Sequence, residues 1–138
     1  VSSYDILHQS EAELNELIKN SDCITIHIPN TIENKNFFSK DKFKLMKKNS
    51  ILIDTSRGGI VNENDLYSAI QKKIIRAAGL DVFESEPYNG ILKDLDDIIL
   101  SPHQGSATID CRAKMEMEVV EDVIRFFKNE PLKQEVIF

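Results

Sequence analysis

Apolar positions along the chain follow two alternating rhythms, one recurring at helical spacing and one running as short β-branched blocks. Ser10 followed by Glu13 forms a capping box, after which Leu14, Leu17 and Ile18 recur at helical spacing to about residue 20. Cys23-Ile24-Thr25-Ile26-His27-Ile28 then reads as a strand stopped by Pro29, which cannot donate to a ladder. Within such a buried strand His27 reads as a satisfied core histidine, not a catalyst. Ser39 is placed to cap a short helix carrying Phe43, Leu45 and Met46, and Ile51-Leu52-Ile53-Asp54 is a second buried strand. After the Gly58-Gly59 turn, Asn62 caps a helix with Leu66, Ala69 and Ile70 on one face, ending near Lys72-Lys73. Residues 76 to 82 form a third strand, Glu86 to Gly90 a loop, and residues 97 to 101 a fourth strand cut off by Pro102. Thr108 caps a long helix to about Lys128, on which Met115, Val119, Val120, Val123, Phe126 and Phe127 read as packing positions. The last ten residues, with Pro131 and Val136-Ile137-Phe138, read as a tail that docks on another surface.

Helices and short apolar strands alternate, and no hairpin dipeptide joins consecutive strands, so the sheet is parallel with right-handed crossovers and the class is α/β. The 138 residues are one domain or a piece of a larger one. A net charge of −6 offers no basic footprint for a phosphate backbone, which argues against nucleic acid as a partner. Apolar runs such as Ile51-Leu52-Ile53 fall far short of a bilayer span, so no membrane partner is expected. Cys23 and Cys111 have neither zinc-ligand nor disulfide-scaffold spacing; they read as small hydrophobes in a reducing, cytoplasmic setting, and no metal is implied. His8, ahead of the first helix, reads as exposed. The chain opens on Val1 rather than Met, which leads to the expectation of a longer parent.

In open α/β sheets ligands bind outside the carboxyl ends of the strands. Arg57, Glu86 and His103 each follow a strand end by a few residues and so converge on one sheet edge. A guanidinium there can clamp a carboxylate by two parallel hydrogen bonds. A histidine paired with a carboxylate keeps a defined tautomer and can give or take a proton near neutrality, with Glu86 as the orienting group. The plainer alternatives are that Arg57 caps a carbonyl, Glu86 is a solvated loop acid and His103 is a polar residue after Pro102.

Four ordered blocks carry a resemblance to a known family: Ser21 to Pro29, Ile53 to Val61, Ala77 to Pro87 and Ser101 to Thr108. Together they resemble the D-isomer-specific 2-hydroxyacid dehydrogenases, phosphoglycerate dehydrogenase among them. The resemblance implies a partial doubly wound, Rossmann-type parallel sheet with flanking helices. It implies hydride transfer between NAD(H) and C2 of a small-molecule 2-hydroxy or 2-oxo acid. By matching position, Arg57 holds the substrate, His103 is the acid/base and Glu86 its partner. Asp81 lies near the nicotinamide carboxamide, Ile28 and Thr55 line the cofactor cleft, and the loop of His103, Gln104, Gly105 and Ser106 borders it. A homodimer is implied for the full-length protein.

Departures from the family pattern are informative. Asp54 stands where Asn is commoner, and Gly105 then Ser106 stand where two glycines or similar small residues are usual, both mild changes. The five glycines, at 58, 59, 79, 90 and 105, form no Gly-x-Gly-x-x-Gly, so the pyrophosphate cradle is missing. The reading is therefore of residues 1–108 as the second half of an NAD-binding domain and 109–138 as a helix and tail returning toward an absent substrate domain. Tyr4-Asp5 is either a remnant of the ribose-binding strand end or a surface acid. The rival reading is a non-catalytic, nucleotide-sensing or regulatory relative on the same fold. A receiver-like module with Asp54 as phosphoacceptor lacks the accompanying acidic pair and lysine.

Overall fold

The computed structural model describes residues 1–5, 7 and 9–135. The expectations for His8 and for Val136-Ile137-Phe138 lie outside the described residues. Two compact units are present, Val1–His103 and Gln104–Phe138.

The first unit runs α1 (Glu11–Asn20), β1 (Cys23–Ile26), α2 (Lys40–Leu45), β2 (Ile51–Asp54), α3 (Glu63–Gln71), β3 (Ala77–Leu80) and β4 (Ile98–Leu100). A 3-10 turn at Ile91–Asp94, unsignalled in the sequence, precedes β4. The strands pair in parallel in the order β1-β2-β3-β4. Asp54 lies opposite both Ile26 and Leu80, and Leu80 opposite Leu100, so all four strands end on one line. That register is what gathers the residues after each strand along a single edge.

Local chemistry sets the helix starts. Ser10 and Glu13 form the expected box: the Glu13 carboxylate accepts the Ser10 N–H at 2.8 Å, and these bonds lower its pKa. Asn62 Oδ1 accepts the Asp65 N–H at 3.0 Å, as a cap should. Ser39, however, makes no side-chain cap; the exposed Lys40 N–H donates instead to Asp65 Oδ2 at 2.9 Å. A carboxylate from α3 has taken the role assigned to the local hydroxyl, which local spacing cannot reveal.

One apolar cluster joins Leu14 and Ile18 of α1, Phe43 of α2 and Leu66, Ala69 and Ile70 of α3 to Ile24, Ile26, Leu52, Ala78 and Leu80 of the sheet. Each such buried Leu, Ile or Phe contributes about 1.5–3 kcal/mol. Burial alternates along the strands: Ile24 and Ile26 are buried while Cys23 and Thr25 are exposed, and Leu52 is buried between half-buried Ile51 and Ile53. Two expectations are thereby corrected. Cys23 is exposed and not a core hydrophobe, and β1 stops at Ile26, leaving His27 exposed beyond it and not in the core. Asp5 is exposed, its carboxylate accepting the Leu7 N–H at 2.9 Å.

In the second unit α4 (Ile109–Phe127) begins where Thr108 Oγ1 accepts the Cys111 N–H at 3.2 Å. The segment after it folds back: the N–H groups of Lys133 and Gln134 donate to the Asp122 carboxylate at 2.9 and 3.2 Å. The Lys133 ammonium also pairs with Glu121. No residue of α4 is buried, and Met115, Val119, Val120, Val123, Phe126 and Phe127 are all exposed. Helical periodicity reports that a face is apolar; it does not report what covers it. No helix among the described residues is long and apolar enough to cross a membrane.

Candidate active site

The β2 end is built around a buried acid. Asp54 is 1% exposed, and its Oδ1 accepts both the Ser56 N–H at 2.9 Å and the Ser56 hydroxyl at 2.6 Å, folding the chain into a tight turn that presents Thr55 and Arg57 outward. Such burial leaves no room for the phosphoacceptor role. Desolvation pushes the Asp54 carboxyl above its ordinary pKa of 3.8, opposed by the two Ser56 bonds and the charge of His27. The folded state therefore holds this proton to higher pH than the unfolded chain does. Its contribution to stability falls as pH rises from the unfolded value through the raised one, and the penalty is complete above it. Asp54→Asn keeps an oxygen for both Ser56 bonds without the charge. It is expected to raise the melting temperature at pH 7 by about 3–5 °C, about 1 kcal/mol, with the gain vanishing at pH 3 in paired thermal melts.

Beyond β3 and β4 lies a histidine–carboxylate pair. His103 Nδ1 is 2.9 Å from Glu86 Oε2, and the other carboxylate oxygen accepts the Phe83 N–H at 3.1 Å. These bonds, the one from His103 foremost, hold the Glu86 carboxyl below the usual range. An ionised carboxylate only accepts, so Nδ1 carries the proton and Nε2 is the nitrogen left to exchange one with a ligand. His103 sits at φ 52°, in the left-handed region, with its N–H donating to the Ser101 carbonyl at 3.1 Å. That turn carries the imidazole away from the strand direction. Glu86 is thus more than a solvated loop acid.

Arg57 is exposed and its Nη1 donates to the Ser56 carbonyl at 2.6 Å, the plainer of the two readings of that residue. It lines a groove of about 560 Å³ with His27, Ile28, Pro29, Asn30 and Ser56. Glu86 lines a separate one of about 320 Å³ with Phe83, Pro87, Tyr88 and Ser101. Backbone packing ties the two loops. A Cβ on Gly58 would lie 1.8 Å from the Phe83 carbonyl oxygen, so only glycine lets the Arg57 loop rest on the loop that carries Glu86. The Asn30 amide adds a bond to the Gly58 carbonyl at 2.8 Å.

Asp81, directly after β3, is 8% exposed; its N–H donates to the Asp54 carbonyl at 3.0 Å and its Oδ1 accepts the Ser101 hydroxyl at 2.6 Å. Sequence reasoning missed Ser101 and His27. The alternation that turns Ile24 and Ile26 inward already puts residue 27 on the outward phase. Gln104, Gly105 and Ser106 follow His103 in the chain and belong to the second unit.

A dinucleotide fits these residues at one end only. Asp81 offers a fixed acceptor and Ile28 an apolar wall beside Arg57. Among the described residues no glycine-rich turn opens a helix, and the space a Cβ would occupy at Gly58 is filled by protein, so it is no phosphate cradle.

The architecture is a parallel α/β half-sheet of the doubly wound class, with a carboxylate–histidine pair at its strand ends. The family model "D-isomer specific 2-hydroxyacid dehydrogenase, NAD binding domain" matches residues 2–105, and the chain belongs to that family. It is 46% identical over 115 residues to the glyoxylate reductase of Thermococcus litoralis, covering 83% of this chain and 35% of the reductase. With the D-3-phosphoglycerate dehydrogenase of Methanocaldococcus jannaschii the identity is 39% over 119 residues, covering 86% of this chain and 23% of the relative. The chain thus spans about a third or less of these curated relatives. The crystal structure of D-lactate dehydrogenase with NAD+ from Lactobacillus jensenii superposes with a TM-score of 0.84 at 26% identity, over 98% of this chain and 47% of that one.

Proposed function

We propose that this chain is the catalytic half of the nucleotide-binding domain of an NAD-dependent D-2-hydroxyacid dehydrogenase, interconverting a 2-hydroxy and a 2-oxo acid. Residues 1–108 supply that half-domain and 109–138 lead back toward a substrate domain. The resemblance extends the proposal to a homodimer for the full-length protein, and the cysteine usage to a cytoplasmic setting. The observation that carries it is the 2.9 Å Glu86–His103 pair on the strand-end edge that also bears Asp81 and Arg57.

In the reducing direction the Arg57 guanidinium leaves the Ser56 carbonyl and takes the substrate carboxylate in a two-pronged bond. His103 Nε2 donates a proton to the C2 oxygen as charge develops there, and recovers one from solvent afterwards; oxidation runs the same transfer backward. Glu86 fixes the ring and stabilises its protonated form. NAD, when bound, supplies or accepts the hydride at C2. Asp81, Ile28 and Thr55 would hold the nicotinamide end, and the Gln104, Gly105 and Ser106 border rests on the resemblance.

The test follows NADH absorbance with glyoxylate, pyruvate, hydroxypyruvate and phosphohydroxypyruvate, using the full-length protein and the isolated 138 residues. Turnover by the first and not the second is expected, and a full-length protein that binds NADH without turnover would favour the regulatory reading. Arg57→Lys, which loses the planar fork, is expected to raise KM for the acid about 10-fold or more. Unchanged KM would remove Arg57 from the carboxylate.

A further inference from the structure

Asp81 and His103 stand beyond neighbouring strand ends, and both are bonded to one residue. Ser101, the first residue after β4, donates its backbone N–H to the Leu80 carbonyl at 2.9 Å, closing the ladder between β3 and β4. Its hydroxyl donates to Asp81 Oδ1 at 2.6 Å, short as expected for a charge-assisted bond. Its carbonyl accepts the His103 N–H at 3.1 Å across the left-handed turn. Asp81 is in turn gripped from the other side, through its N–H to the Asp54 carbonyl at 3.0 Å. A carboxylate 8% exposed has few rotamers open to it, and the hydroxyl across the ladder is one of the bonds that restrict it. The Asp81 charge also acts on Glu86, raising its pKa while His103 lowers it, so a moved Asp81 carboxylate is felt at the acid/base pair.

We infer that Ser101 is a positioning residue of the site, its hydroxyl fixing the Asp81 carboxylate beside the Glu86–His103 pair while its backbone sets the turn that aims His103. This rests on the dehydrogenase reading above. Ser101 touches neither substrate nor cofactor in this account, so its effect belongs in kcat and not in the binding of the acid by Arg57.

The experiment uses the full-length protein with Ser101→Ala, Ser101→Thr and Ser101→Val. Thr and Val have nearly the same shape and differ in the hydroxyl, so their comparison separates the bond from packing, and thermal melts confirm that each variant is folded. Loss of one hydrogen bond to a charged acceptor predicts kcat lower by about 10- to 100-fold in Ala and Val. KM for the acid is expected to stay near wild type, and Thr to restore most of kcat. Should Val fail to fold, the Ala and Thr pair carries the same contrast. Wild-type kcat in Ala, or equal loss in Thr and Val, would overturn the role of the hydroxyl while leaving the dehydrogenase reading standing. Absence of turnover in the wild-type protein would overturn both.

Discussion

His103→Ala in the full-length protein is expected to lower kcat for reduction of a 2-oxo acid by about 10²- to 10⁴-fold, the usual contribution of a positioned general acid. The expectation follows from three features of one residue. The imidazole is partnered on Nδ1 by Glu86 at 2.9 Å, which leaves Nε2 as the exchanging nitrogen. Its backbone is held in the left-handed region, where few side chains settle without support. The Glu86 carboxyl, held below its usual range, stays ionised through neutrality and can stabilise the imidazolium formed when the reaction runs backward. Steady-state assays of NADH oxidation, with NADH affinity followed by fluorescence titration, check it. Retained turnover would put the proton donor elsewhere. Loss of NADH affinity in parallel with kcat would mean that the ring mainly supports the cleft.

Gly58→Ala is expected to cost about 1–3 kcal/mol of folding stability, the range for overpacking a filled site. It should also reduce catalysis through both kcat and KM. The added Cβ would meet the Phe83 carbonyl oxygen at 1.8 Å, its carbon at 2.2 Å and the Glu84 nitrogen at 2.8 Å. All three are backbone atoms, so no rotamer change relieves the clash and one loop must move. Arg57 is bonded to the chain one residue before Gly58, and the Phe83 N–H is what holds Glu86 Oε1, so either displacement disturbs a proposed site residue. Denaturant melts and kinetics on the same preparation test the link. An unchanged midpoint with unchanged rates would show that the two loops are not packed as described.

Legibility from sequence depended on whether a feature was local. The Ser10–Glu13 box, the Asn62 cap and the four strands depend on residues a few positions apart, and each is present. The Glu86–His103 pairing is remote in sequence, but both residues follow strand ends, and parallel register lines those ends up. The Asp65 carboxylate at the start of α2 and the Ser101–Asp81 bond join partners that no spacing rule connects. The position of His27 was misread for another reason. The β-branched block reads as buried throughout, whereas the alternation that buries Ile24 and Ile26 points residue 27 outward.

The all-parallel pairing of the first unit also shapes how the chain reaches its fold. No two neighbouring strands are joined by a hairpin, so no part of the sheet can zip from a turn. Every pairing must wait for a crossover to close, which makes high contact order and slow assembly intrinsic to this sheet. During that interval the Ile-rich strands β2 and β4 expose unpaired backbone and apolar side chains at once, a combination that invites association with other chains. Chaperone occupancy and crowding during synthesis therefore act on the same strands whose ends later carry the site.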